Sequence, residues 1–125
     1  MSDEQRITLT VRRGPLAGPV LTRLVAMAGS RSELPVDRLD DALLIAEALT
    51  SDGAAFGPDG RLSVEACSRD GVLELRVGPL AAGDANRLLD AGNLPGAGAV
   101  IARLATGALA EPSGDAQRVL VRIAA

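Results

Sequence analysis

The sequence has no histidine, lysine, tryptophan or tyrosine, and only one phenylalanine (Phe56) and one cysteine (Cys67). Each absence removes chemistry. Without histidine there is no Ser-His-Asp triad and no imidazole-held metal. Without lysine there is no Schiff base and no P-loop lysine. A single cysteine forms no internal disulfide, which fits a reducing, cytoplasmic setting. Nothing beside Cys67 in the sequence reads as a base, so it is expected to pack, or to sit exposed on a strand, rather than react. No run approaches the ~20 apolar residues of a membrane span. The beginning, Met1-Ser2-Asp3-Glu4-Gln5-Arg6, has no signal-peptide pattern.

What remains is aliphatic. Hydrophobic residues make up 47% of 125 residues and aromatics 1%, so one domain has enough Leu, Val, Ile and Ala for a core. The net charge of -3 argues against a direct nucleic-acid partner. All basic residues are arginine in an Ala- and Gly-rich chain, a composition expected of a GC-rich bacterial genome.

Residues 7–11 alternate, with Ile7, Leu9 and Val11 on one side and Thr8 and Thr10 on the other, which predicts a half-buried strand. Residues 15–28 carry Leu16, Val20, Leu21, Leu24, Val25 and Ala28 at helical spacing, with Pro19 in the first turn and Gly29 placed to cap the end. A polar loop follows to Leu34. The longest helical pattern covers 35–51, with Asp37 as its expected cap and Asp40 and Asp41 near its positive end. Residues 52–60 are turn-rich. Leu62, Val64 and Ala66, then Leu73, Leu75 and Val77, alternate as two strands joined at Asp70-Gly71, a hairpin signal. Gly78-Pro79 is expected to close the second strand. Residues 84–90 read as a short helix, 91–98 as a loop, 99–109 as a helix and 118–123 as a last strand. The order β-α-α-β-β-α-α-β predicts a two-layer α/β sandwich: a mixed sheet of about four strands with helices on one face.

Three features bear on chemistry. Glu47 and Ser51, four apart on the long helix, meet on its polar flank, as a general base beside a hydroxyl or as a plain solvated flank. Gly96-Ala97-Gly98-Ala99 leads into a helix, as an anion-binding turn or an ordinary flexible lead-in. Asp52-Gly53 follows the long helix, as a cation ligand or a turn.

Taken with the order of elements, these segments resemble the anti-sigma-factor serine kinases of the GHKL (histidine-kinase-like) ATPase superfamily, whose fold is a Bergerat-type α/β sandwich. Ala46-Glu47-Ala48-Leu49-Thr50-Ser51 is similar to that family's N-box, usually Ser-Glu-Ala-x-Thr-Asn. Residues 72–77 resemble the strand that leads into its Asp-x-Gly motif, Gly96 to Leu104 its Gly-x-Gly segment, and 117–123 its final strand. The resemblance implies Glu47 as catalytic base, Ser51, Gly96 and Gly98 as nucleotide contacts, Ser51 and Asp52 as magnesium ligands, and ATP with magnesium as cofactors. It also implies that the long helix and the Gly-rich segment flank one cleft. The departures are Ser51 in place of asparagine, and Gly78-Pro79-Leu80 where the adenine-reading aspartate belongs. Asp84 falls several residues late, and the stretch to Gly96 is short for a phosphate-covering lid. Losing such polar contacts costs tenfold or more in affinity. The expected function is therefore a regulatory protein-binding module for a sigma factor or an anti-anti-sigma protein, with ATP binding reduced or lost and no membrane partner. The alternative is an active serine kinase acting on an anti-anti-sigma partner. The resemblance also implies a homodimer, for which the Thr8 and Thr10 face leaves room.

Overall fold

Among the described residues, five strands form one sheet in the order β1-β2-β3-β5-β4: β1 Gln5–Arg12, β2 Arg61–Arg69, β3 Val72–Leu80, β4 Gly107–Ser113 and β5 Ala116–Ala124. The computed structural model describes residues 4–57, 59–92 and 96–125. Part of the loops expected at 52–60 and 91–98 lies outside them. The helices α1 Ala17–Arg31, α2 Val36–Ser51, α3 Ala82–Leu89 and α4 Ala97–Leu104 make the second layer. The chain is thus an α+β two-layer protein.

The alternation read in the sequence builds the sheet. Leu62, Val64, Ala66, Leu73, Leu75, Val77, Val119, Val121 and Ile123 all point under the helices and are buried. Leu21 and Val25 of α1, Ile45 and Leu49 of α2 and Leu88 of α3 close over them. The hairpin between β2 and β3 turns at Asp70-Gly71, with Gly71 at φ 74°, a conformation glycine adopts without cost.

Several expectations are corrected. The sheet is antiparallel at every described pairing, not mixed. Between β1 and β2 the chain travels out and back through two helices, so the second strand runs opposite to the first. The described strands number five, not four, because residues 107–113 form β4 and α4 stops at Leu104. Thr106 fixes that switch: its N–H donates to the Arg122 carbonyl at 2.8 Å, and its hydroxyl accepts the Ala124 N–H at 2.9 Å.

β3 continues through a cis Gly78–Pro79 bond to Leu80, with a bulge against β5, instead of closing before it. Gly78 makes this possible, because a Cβ there would lie 2.8 Å from Arg118 Cβ. Gly29 does not cap α1. It lies buried inside the helix, with Leu39 of α2 filling the space of its missing side chain, and Ser32 ends the helix by donating its hydroxyl to the Gly29 carbonyl at 2.8 Å. Asp37 likewise caps nothing. Pro35 occupies the cap position of α2, and Asp37 stands in the first turn.

Candidate functional site

α2 and α4 lie side by side and leave a cleft of about 410 Å³ between them. Leu44, Glu47, Ala48 and Ser51 line it from α2, and Val100, Arg103 and Leu104 from α4. Glu47 and Ser51 share this wall because they are one helical turn apart. Both are exposed. Ser51 donates its hydroxyl proton to the Glu47 backbone carbonyl at 3.0 Å, so its oxygen keeps free lone pairs while the proton stays on the helix. The walls are largely apolar, with Glu47 and Arg103 as the charged groups.

The Gly-rich segment divides between two surroundings. Gly96, extended at φ −144°, is the residue before α4. The next N–H, that of Ala97, donates to Asp52 Oδ2 at 2.9 Å. Asp52 terminates α2 and is only 8% exposed. Its carboxylate thus sits at the positive end of α4, where a free anion would otherwise bind. Gly98 turns the other way. A Cβ on it would lie 2.5 Å from the Asp90 carbonyl oxygen and 2.7 Å from Leu89 C, so α3 and α4 meet there backbone to backbone. Gly98 lines a groove with Leu89, Ile101 and Ala105 on the far side of α4. α2 and α4 therefore do flank one cleft, but Gly98 is not in it; the expectation of one cleft shared by Glu47 and Gly98 is corrected. Close packing of α3 onto α4 is the physical reason.

Asp84 stands on α3 in a surface pair with Arg87 at 3.5 Å. Gly78 and Pro79 line a separate groove with Thr10, Ser63 and Asp59. Among the described residues, no three His, Cys, Asp or Glu side chains come close enough together to hold a metal ion.

Cys67 is buried on the helix-free face of the sheet and donates its thiol to Glu4 Oε1 at 2.9 Å. Burial, and then the hydrogen bond to Glu4, push the thiol pKa up. The thiol, and then the Arg6 guanidinium at 2.9 Å, hold the Glu4 carboxyl below its usual value. A thiol so placed is a poor nucleophile at neutral pH.

Two clusters lie outside the candidate residues read from the sequence. Arg38 of α2 donates to the Leu104 carbonyl at 2.8 Å, the Ala124 carbonyl at 2.9 Å and Thr106 Oγ1 at 3.1 Å, and pairs with Asp41 at 2.6 Å. It ties α2 to the end of α4 and to β5. Glu111 accepts from Arg118 at 2.7 Å and Arg76 at 3.1 Å across three strands. Only the spacing of Arg38 and Asp41, three apart on one helix, was visible beforehand.

No protein-family model matches the chain, and no curated protein matches its sequence. Among the described residues, no helix is long and apolar enough to cross a membrane.

Proposed function

We propose that the chain is a regulatory protein-binding module on a histidine-kinase-like scaffold, with ATP binding reduced or lost, whose partner is a sigma factor or an anti-anti-sigma protein in the cytoplasm. The observation that carries this reading is the bond from the Ala97 N–H to the Asp52 carboxylate. A nucleotide phosphate at the start of α4 would need that amide, and would meet a buried like charge beside it. The residues present do not fit a bound phosphate there. Gly78 and Pro79, in the position of an adenine-reading carboxylate, offer no side-chain acceptor. Gly98 is committed to packing against Asp90. The apolar walls of the α2–α4 cleft, Leu44, Ala48, Val100 and Leu104, suit a protein side chain better than a triphosphate.

The active-kinase reading keeps one observation in its favour: Glu47 and Ser51 line the same cleft as Arg103. Titration calorimetry with Mg-ATP separates the two. The module reading expects no heat of binding at millimolar nucleotide, and no transfer of labelled phosphate to a sigma factor or an anti-anti-sigma protein. Micromolar binding would overturn the module reading, and transfer that Glu47→Ala abolishes would establish the kinase instead.

A further inference from the structure

We infer that the helix-free face of the sheet, at Leu109 and Leu120, binds an amphipathic helix of a partner protein, one whose aliphatic stripe is flanked on both sides by Asp or Glu. This surface lies across the sheet from the α2–α4 cleft and is independent of what that cleft binds.

The helices cover one face of the sheet only. The alternation that sends Val64, Val77 and Val121 inward sends arginines to the other side: Arg6 and Arg12 from β1, Arg61 and Arg69 from β2, Arg76 from β3, Arg118 and Arg122 from β5. Seven of the 13 arginines thus stand on this face. The acids with them are Glu65, Glu74 and Glu111, and Glu4 where it meets Cys67. The face is positive in a chain whose net charge is -3. Guanidinium groups match carboxylates in shape as well as in charge.

Near the β4 edge the arginines frame an apolar centre. Leu120 and Leu109 stand side by side across β5 and β4, and Leu109 is 51% exposed. Gly107 has nothing within 4 Å of the place a Cβ would take, and a hollow of about 300 Å³ opens there beside both leucines. Arg118 and Arg122 lie on either side of Leu120 along β5, roughly 13 Å apart. Arg76 and Arg118 share one acceptor, Glu111. Arg122 is exposed and, among the described residues, has no ion-pair partner, although Glu74 stands opposite it on β3. The three arginines therefore outweigh the two glutamates around the leucines. An apolar centre inside a polar rim is the anatomy of a protein interface.

Spacing selects the occupant. A helix with its side chains is ~10–12 Å across. Laid along the Leu109–Leu120 row, it fits between Arg118 and Arg122, with its acidic flanks against them and its aliphatic stripe on the leucines. An extended segment presents a single row of side chains to a sheet, so it cannot hold the apolar row and both acidic flanks together. A single-stranded nucleic acid finds no aromatic ring to stack on, because Phe56, the sole aromatic residue, is buried in the core.

Fluorescence anisotropy tests this with a labelled synthetic helix that carries a leucine stripe between two rows of glutamate. The expected result is a Kd below about 100 µM, rising with salt. Leu109→Asp and Arg122→Gln, both at exposed positions, each weaken binding at least about tenfold with an unchanged circular dichroism spectrum. Arg122→Gln alone decides should Leu109→Asp disturb β4. Replacing the glutamates of the peptide by glutamine weakens binding to the same extent. A Kd above about 100 µM overturns the proposal. So does equal binding of the glutamine peptide, or indifference to Arg122→Gln. Loss of binding in Leu44→Asp without loss in Leu109→Asp would put the helix in the α2–α4 cleft and also overturns it. Single-stranded DNA that binds more tightly than the peptide, and depends on Arg122, would make the face a nucleic-acid surface instead.

Discussion

Gly98 has no room for a side chain, and the obstruction is backbone. The Asp90 carbonyl oxygen and Leu89 C stand where a Cβ would go, and neither retreats without moving the end of α3. In an open helix Gly→Ala gains about 1 kcal/mol; here Gly98→Ala is expected to lose about 1–3 kcal/mol from overpacking, read as a lower urea midpoint at unchanged slope. A glycine kept only for flexibility, or for close approach to a phosphate, would show the gain.

The same scale decides Cys67. Glu4 is depressed below its ordinary value of 4.5, so its contribution is present above pH 4.5 and is lost as pH falls through the lowered value. Cys67 is raised above 9.0, so its contribution is present below pH 9 and is lost as pH rises through the raised value. Iodoacetamide should therefore label the native thiol slowly at pH 8. Glu4→Gln, which removes the carboxylate that disfavours the thiolate, should speed the reaction. Equal rates in both proteins would mean that burial alone protects the sulfur.

Among the elements, the β2–β3 hairpin was legible because Asp70-Gly71 supplies the turn, and Leu62 and Val64, then Leu73, Leu75 and Val77, mark alternate positions of the two strands. β4 was not. Its inward residues are Ala108 and Ala110, paired with Val121 and Val119. Alanines are too small to print an alternation, so Ala105, Ala108 and Leu109 read equally well as a helix continuing from Leu104. Long-range hydrogen bonds decided the matter, and Arg38 supplies several of them. Arg38→Met keeps the apolar stem and removes the donors to Leu104, Ala124 and Thr106. The expected cost is about 1–3 kcal/mol for leaving part-buried carbonyls unpaired. Hydrogen exchange locates it: amide protection should fall most at the C-terminal end of α4 and in β4, with β2 and β3 changed least. Uniform loss across the sheet would contradict that tie.

Across the whole molecule, the candidate site was half legible. Glu47 and Ser51 were found because helical geometry brings residues four apart together. The bond from Ala97 to Asp52 spans 45 residues and exists only because the two-layer fold brings the end of α2 to the start of α4, which no spacing announces. That joint is also where the competing functions part. If Asp52 is structural, its carboxylate acts as a remote cap of α4. Asp52→Ala should then cost about 1 kcal/mol at neutral pH, while Asp52→Asn, whose side-chain oxygen still accepts the Ala97 N–H, should cost less. Mg-ATP should shift the melting temperature of none of the three proteins. If Asp52 instead served a cation and nucleotide, Mg-ATP would raise the melting temperature of the wild type, because a ligand that binds only the folded state stabilises it. Asp52→Asn, short of the charge that holds magnesium, would lose that rise while keeping its stability without nucleotide. Thermal melts of the three proteins, with and without Mg-ATP, therefore separate a fold that uses this carboxylate as an internal anion from one that holds the position open for a ligand.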